Sequence, residues 1–182
     1  QLNINFLPVD YRGYGRSDGN PTVTAMMQDC HAIFTFVKAW LAQQAYTGPL
    51  IVMGRSLGSA SALELASTSE ADIDSLIIES GFALASPLLN LLGIDTRSLG
   101  FQEENGFRNI DKIKTFKKPT LVIHAEFDHI IPFSDGQSLF EAAAAENKSL
   151  LEIPGANHND IFARGLSDYL TAIQKMVASL PA

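Results

Sequence analysis

The sequence predicts an α/β fold, a mostly parallel sheet with helices on both faces. Three observations carry that prediction. Short apolar runs of strand length alternate with longer segments of helical period along the chain. The runs Leu50 to Met53 (LIVM), Ser75 to Ile78 (SLII) and Thr120 to Ile123 (TLVI) are almost unbroken in their apolar character, as in strands buried on both faces. Helical segments separate these runs, and parallel neighbours need a crossover of that length.

In chain order, Asn3 to Val9 (NINFLPV) reads as a short apolar strand whose pairing Pro8 limits. Asp10 to Pro21 is rich in turn residues. From Val23 the period becomes 3.6, with Met26, Met27, Cys30, Ile33, Phe34, Val37, Trp40 and Leu41 on one face of a helix of about five turns. After the strand Leu50 to Met53 comes a turn, Gly54 to Gly58, and a helix, Ala60 to Ser67. The strand Ser75 to Ile78 leads into a mixed segment, Glu79 to Lys118. The strand Thr120 to Ile123, a helix Ser138 to Glu146, a strand Leu150 to Ile153 and a closing helix Asp160 to Leu180 complete the pattern.

Composition bounds the function. With 182 residues the chain fits one domain, residues 1–182. It is 46% hydrophobic and 18% charged, the reverse of a disordered chain's balance. Thirteen Lys and Arg against twenty Asp and Glu leave a net charge of −7, which argues against nucleic acid or an anionic membrane as partner. The one basic run, Lys112, Lys114, Lys117 and Lys118, reads as a solvated loop. Cys30 stands alone, so no intrachain disulfide forms; a reducing, cytoplasmic compartment is expected. No Cys/His set has zinc spacing. No run approaches the roughly 18 apolar residues of a membrane span; the most apolar stretch, Ala83 to Ile94, is interrupted by Ser86, Pro87, Asn90 and Gly93. The start at Gln1, already reading as a strand, leads us to expect a fragment or a processed chain.

In open α/β sheets ligands sit beyond the carboxyl ends of the strands. Three reactive residues follow strands there: Ser56, Asp128 and His158. Ser56 lies in Gly54-Arg55-Ser56-Leu57-Gly58, a G-x-S-x-G between strand and helix. A serine hydroxyl needs a base within reach, and a tight strand-to-helix turn projects it toward one, the flanking glycines allowing close approach of strand and helix. The same turn sets the backbone N–H of Leu57 at a helix N-terminus, suited to an oxyanion. Asp128, in Glu126-Phe127-Asp128-His129, can orient an imidazole, with Glu126 as its competitor and His129 as a rival base. His158, in Gly155-Ala156-Asn157-His158-Asn159-Asp160, completes the order Ser, Asp, His. His31 and His124 read as structural.

On these motifs the chain resembles the α/β-hydrolase superfamily, from Asn3 to the C-terminus, and within it the Bem46-like and serine-aminopeptidase-like branch. Asp10-Tyr11-Arg12-Gly13-Tyr14-Gly15-Arg16-Ser17 looks like the segment after the family's fourth strand. Gly54 to Ser59 looks like its nucleophile elbow, and Asn157-His158-Asn159-Asp160 like its final motif. The resemblance implies Ser56 as nucleophile, His158 as base, Asp128 as orienting acid and residues 79–118 as a reduced cap. Phe82, Leu84, Leu88, Leu89, Leu91 and Leu92 of that cap suggest an apolar acyl pocket, though core packing accounts for them equally well.

Family members carry three further strands upstream and a His-Gly-type loop that supplies a second oxyanion donor, so an N-terminally truncated fold is expected. Loss of one such donor costs about 10²–10³ in rate. The strand Asn3 to Val9 would then face a gap of about 9–10 Å, two strand spacings, and self-association through an exposed sheet edge is expected. The function implied is hydrolysis of an acyl ester or thioester through an acyl-enzyme on Ser56, with no metal or organic cofactor. A peptidase-like activity and a non-catalytic binding or interaction module are the alternatives.

Overall fold

The computed structural model describes residues 4–91 and 93–181. The chain forms two compact units, one up to Gly48 and one from Pro49 onward, each described by itself.

The first unit is built on one helix, α1 (Val23–Gln43). The Ala25 N–H donates to Thr22 Oγ1 at 3.0 Å, capping one of the helix's unpaired donors. Ala25, Met26, Cys30 and Phe34 are buried, and Met27, Ile33, Val37 and Leu41 half-buried, along the expected apolar stripe. Trp40 departs from it, exposed with its ring 5.9 Å from that of Tyr46. In the preceding loop the Arg12 guanidinium grips Asp29 with two bonds of 2.6 and 2.9 Å.

The expected strand Asn3 to Val9 does not form over its described part, Ile4 to Val9. Asn3 lies outside the described residues, and Ile4 to Val9 take no strand conformation, with Phe6 74% exposed. An apolar segment becomes a strand only where a neighbour takes its N–H and C=O groups, and Pro8 removes one donor.

The second unit holds a four-stranded sheet of β1 (Ile51–Arg55), β2 (Ser75–Glu79), β3 (Thr120–Ala125) and β4 (Lys148–Ile153). The strands run parallel in the order β1-β2-β3-β4. Helix α2 (Gly58–Thr68) crosses from β1 to β2, and α3 (Ala85–Leu91) and α4 (Asn109–Ile113) lie between β2 and β3. Helix α5 (Phe133–Ala142) crosses to β4, and α6 (Ile161–Ala178) closes the chain. Side chains alternate between the faces of each strand. Ile77, Leu121, Ile123 and Ile153 pack with Tyr169, Ile173 and Met176 of α6. The alternate residues Leu76, Ile78, Val122 and His124 are fully buried and belong to the opposite face, where His124 meets the Phe133 ring of α5 at 5.9 Å. Every residue of β2 and β3 is buried, so their unbroken apolar runs follow from helices on both sides.

Helix α5 differs from its expected span, Ser138 to Glu146. It starts five residues earlier, with Pro132 extended at its N-cap, and stops at Ala142. The alanines that follow favour helix locally, yet Ala143 and Ala145 are buried outside it. The Lys148 ammonium, from the start of β4, donates to the carbonyls of Phe140, Glu141 and Ala143 at 2.9, 3.2 and 2.8 Å. A cation on the last carbonyls ends the helix where tertiary packing needs the chain to turn.

Helix α6 bends at Gly165, whose backbone is not helical (φ −129°, ψ 23°). A Cβ there would lie 2.5 Å from Ile153 Cγ2 and 2.8 Å from Cδ1. Gly165→Ala is therefore expected to destabilise the fold by about 1–3 kcal/mol, the usual cost of overpacking a filled site. Thermal unfolding checks this, and an unchanged midpoint would contradict the packing described.

Candidate active site

The parallel register brings the carboxyl ends of β1, β3 and β4 to one edge, and Ser56, Asp128 and His158 follow them. Ser56 sits immediately after β1 in the left-handed backbone region (φ 51°), uncommon for a residue with a Cβ. Its N–H donates to the Glu79 carbonyl at 2.9 Å, which extends the β1–β2 ladder into the turn. Gly54 makes the turn feasible, since a Cβ there would lie 2.4 Å from the Gly58 carbonyl oxygen and 2.7 Å from Ala62 Cβ. Gly58 carries no such demand: a Cβ added there meets open space. Of the two flanking glycines, only Gly54 is required by close approach of strand and helix.

Asp128 and His158 are buried, at 8% and 4% exposure, and Ser56 is half-buried. His158 Nδ1 lies 2.7 Å from Asp128 Oδ2, and His158 Nε2 lies 3.1 Å from Ser56 Oγ. An ionised carboxylate only accepts, so Nδ1–H donates to Asp128, and Nε2 is left to accept the Ser56 hydroxyl proton. The other Asp128 oxygen accepts from the N–H groups of Ile130 and Ile131 at 3.0 and 2.8 Å. Burial pushes the Asp128 carboxyl up. The hydrogen bonds from His158, Ile131 and Ile130, with the attraction of the imidazole, outweigh that push and hold it below its ordinary value.

The loop carrying His158 is braced from within. Asn157 N–H donates to Asp160 Oδ1 at 2.6 Å and Asn159 N–H to Asn157 Oδ1 at 2.9 Å. The rival residues point elsewhere. Glu126 accepts from the Gly155 N–H at 2.8 Å, and His129 is exposed. His31 lies in α1. His124 is fully buried on β3, with Nε2 2.8 Å from the Ile131 carbonyl and 3.6 Å from Asp128 Oδ2. It therefore supports the Asp128 loop from behind. Burial pushes the His124 imidazole down, against the Ile131 bond and the attraction of Asp128 and Asp135.

Sequence reasoning missed Arg55, Glu79 and Tyr169. Arg55 Nε donates to Glu79 Oε1 at 2.9 Å, and the Tyr169 hydroxyl to Glu79 Oε2 at 2.7 Å. The signal was present in Glu79 itself, a carboxylate ending an apolar run. Of the proposed pocket residues, Phe82 is core, fully buried with its ring 5.2 Å from Phe107. Leu88 and Leu91 line a small hollow of about 120 Å³ with Pro87, Ile131, Pro132 and Asp135. Leu92 lies outside the described residues.

With this geometry in place, the comparisons with known proteins bear on the family and the fold. Residues 1–94 match the family described as serine aminopeptidase, S33. The chain belongs to that family, within the α/β-hydrolase superfamily. The human α/β hydrolase domain-containing protein 17B is 33% identical over 98% of the chain, and the chain spans 58% of that relative's length. An uncharacterized Escherichia coli protein, YfhR, is 28% identical over 90% of the chain and is covered over 56% of its own length. Among solved structures, a Pyrococcus furiosus esterase superposes with a TM-score of 0.71 at 18% identity, covering 94% of this chain and 69% of that one. A Paleococcus ferrophilus monoacylglycerol lipase gives 0.66 at 18% identity, covering 93% and 81%. These two show the shared α/β-hydrolase fold. Among the described residues no helix is long and apolar enough to cross a membrane.

A pH dependence follows from His124. A folded-state pKa below the ordinary value of about 6.5 means that the unfolded chain takes up the proton first as pH falls. Stability from this group is complete above that value and is lost as pH drops through the folded-state value. Thermal midpoints measured from pH 7.5 to 5.0 should fall more steeply in the wild type than in His124→Gln; parallel slopes would show that His124 carries none of the effect.

Proposed function

We propose that the protein is a serine hydrolase that cleaves an acyl ester or thioester through an acyl-enzyme on Ser56. One observation carries the reading: hydrogen-bond distances run unbroken from Ser56 Oγ to His158 Nε2, and from His158 Nδ1 to Asp128 Oδ2. Ser56 Oγ attacks the acyl carbonyl carbon while His158 Nε2 takes its proton. Asp128 holds the imidazole in the required tautomer and stabilises its protonated form. The Leu57 N–H, at the N-terminus of α2, donates to the oxyanion of the tetrahedral intermediate. Collapse breaks the ester bond, and His158 returns the proton to the leaving alcohol or thiol. Water then enters, gives a proton to His158 and attacks the acyl carbon, which releases the acid and restores Ser56.

The substrate class rests on surroundings. The esterase and lipase among the structural neighbours support carbonyl substrates of the ester type. Residues 79–118 would form a reduced cap, whose Pro87, Leu88 and Leu91 line an apolar hollow with Ile131 and Pro132. The family's description keeps a peptide bond as the second class.

Hydrolysis of short and long p-nitrophenyl esters by the complete protein tests the reading. Ser56→Ala should abolish turnover, and Asp128→Asn should lower kcat by about 10³–10⁴ through loss of the productive tautomer. Turnover that survives Ser56→Ala would rule out the acyl-enzyme.

A further inference from the structure

We infer that Arg55, the residue before the nucleophile, is a positioning residue that sets the main chain of His158, and that Glu79 and Tyr169 hold it in place. The inference rests on the reading of Ser56, Asp128 and His158 as a triad.

Arg55 ends β1 directly opposite Glu79 at the end of β2. Its guanidinium uses two arms. Nε donates to Glu79 Oε1 at 2.9 Å, and Nη2 donates to the main-chain carbonyl of His158 at 2.5 Å, across 103 residues of sequence. Glu79 is 1% exposed, and a carboxylate that deep is tolerated only when both oxygens are satisfied. Its second oxygen takes the Tyr169 hydroxyl from α6, the helix that follows the His158 loop. Burial and the Glu79 carboxylate hold the Tyr169 phenol well above its ordinary value, so it remains a donor.

Glu79 also accepts the Ser56 N–H on its main-chain carbonyl at 2.9 Å. One buried residue therefore fixes the nucleophile through its backbone and the base through Arg55. The internal bonds of the His158 loop set its shape, whereas the Arg55 bond ties His158 itself to the strand that carries Ser56. A planar guanidinium can hold two acceptors in different directions at once. A lysine ammonium, a single nitrogen, cannot occupy both donor positions. None of these groups touches the reacting atoms, so the effect on rate runs through the separation of Nε2 and Oγ, where misplacement by about 1 Å costs about 10²-fold.

Arg55→Lys separates positioning from structure. Lysine keeps a positive partner for Glu79, so the melting temperature should stay close to that of the wild type. kcat for ester hydrolysis should drop about 10–100-fold, with KM within about twofold. Recovery of both stability and kcat would overturn the inference. A second variant, Arg55→Met with Glu79→Gln, removes both charges and leaves no buried carboxylate unpaired. It should fold and remain slow; wild-type kcat in this variant would also overturn the inference. If the wild type itself turns over no ester, the hydrolase reading fails, and proton NMR still decides the positioning role. The downfield His158 Nδ1–H signal should be sharp in the wild type and broadened by exchange in Arg55→Lys. An identical signal in the two proteins means that Arg55 does not set His158.

Discussion

The Asp128 carboxylate is buried and, in the proposed triad, must remain ionised, and much of the site's architecture follows from that constraint. Burial alone would push its proton back on. The two N–H groups of the turn after β3 and the His158 imidazole supply the opposing hydrogen bonds. His124 closes the space behind the same turn. Each of these groups stays in place because the chain leaves β3 at a fixed register against its neighbours. The parallel sheet is thus more than a scaffold: it sets where three loops end relative to one another.

Strain and close approach concentrate at the elbow. Ser56 occupies a left-handed conformation, and Gly54 sits where the backbone of Gly58 leaves no room for a Cβ. Unfavourable local geometry of this kind persists only where the surroundings over-determine it. Here the ladder bond to Glu79, the turn bonds that begin α2 and the buried alanines of α2 do so. The hydroxyl is held at the edge of the sheet, half-buried and within reach of His158.

Much of this was legible in the sequence, and the failures have physical causes. The runs at Ser75 and Thr120 announced strands because burial on both faces leaves no polar alternation, whereas the run at Leu50 announced one on composition, Ile51, Val52 and Met53 being only half-buried. The glycine-flanked serine announced its turn because few residue types fit one. Helix α5 was misplaced because local propensity favours its alanines, whereas Lys148 ends the helix from β4, a contact that exists only after folding. Asn3 to Val9 read as a strand on composition, yet a strand is a property of a pair. Gly58 looked as necessary as Gly54, and only the packing of strand on helix separates them. Arg55 carries no such signal, since its meaning depends on a register that places Glu79 beside it and on a loop 103 residues away.

The central claim is that Ser56 and His158 form an assembled, activated pair. Intact-mass analysis after treatment with a fluorophosphonate probe tests it most directly, because such probes need an activated serine and no knowledge of the substrate. The account predicts one covalent adduct on the wild type and none on Ser56→Ala. A folded wild-type protein that takes up no probe, or an adduct that persists in Ser56→Ala, would contradict it.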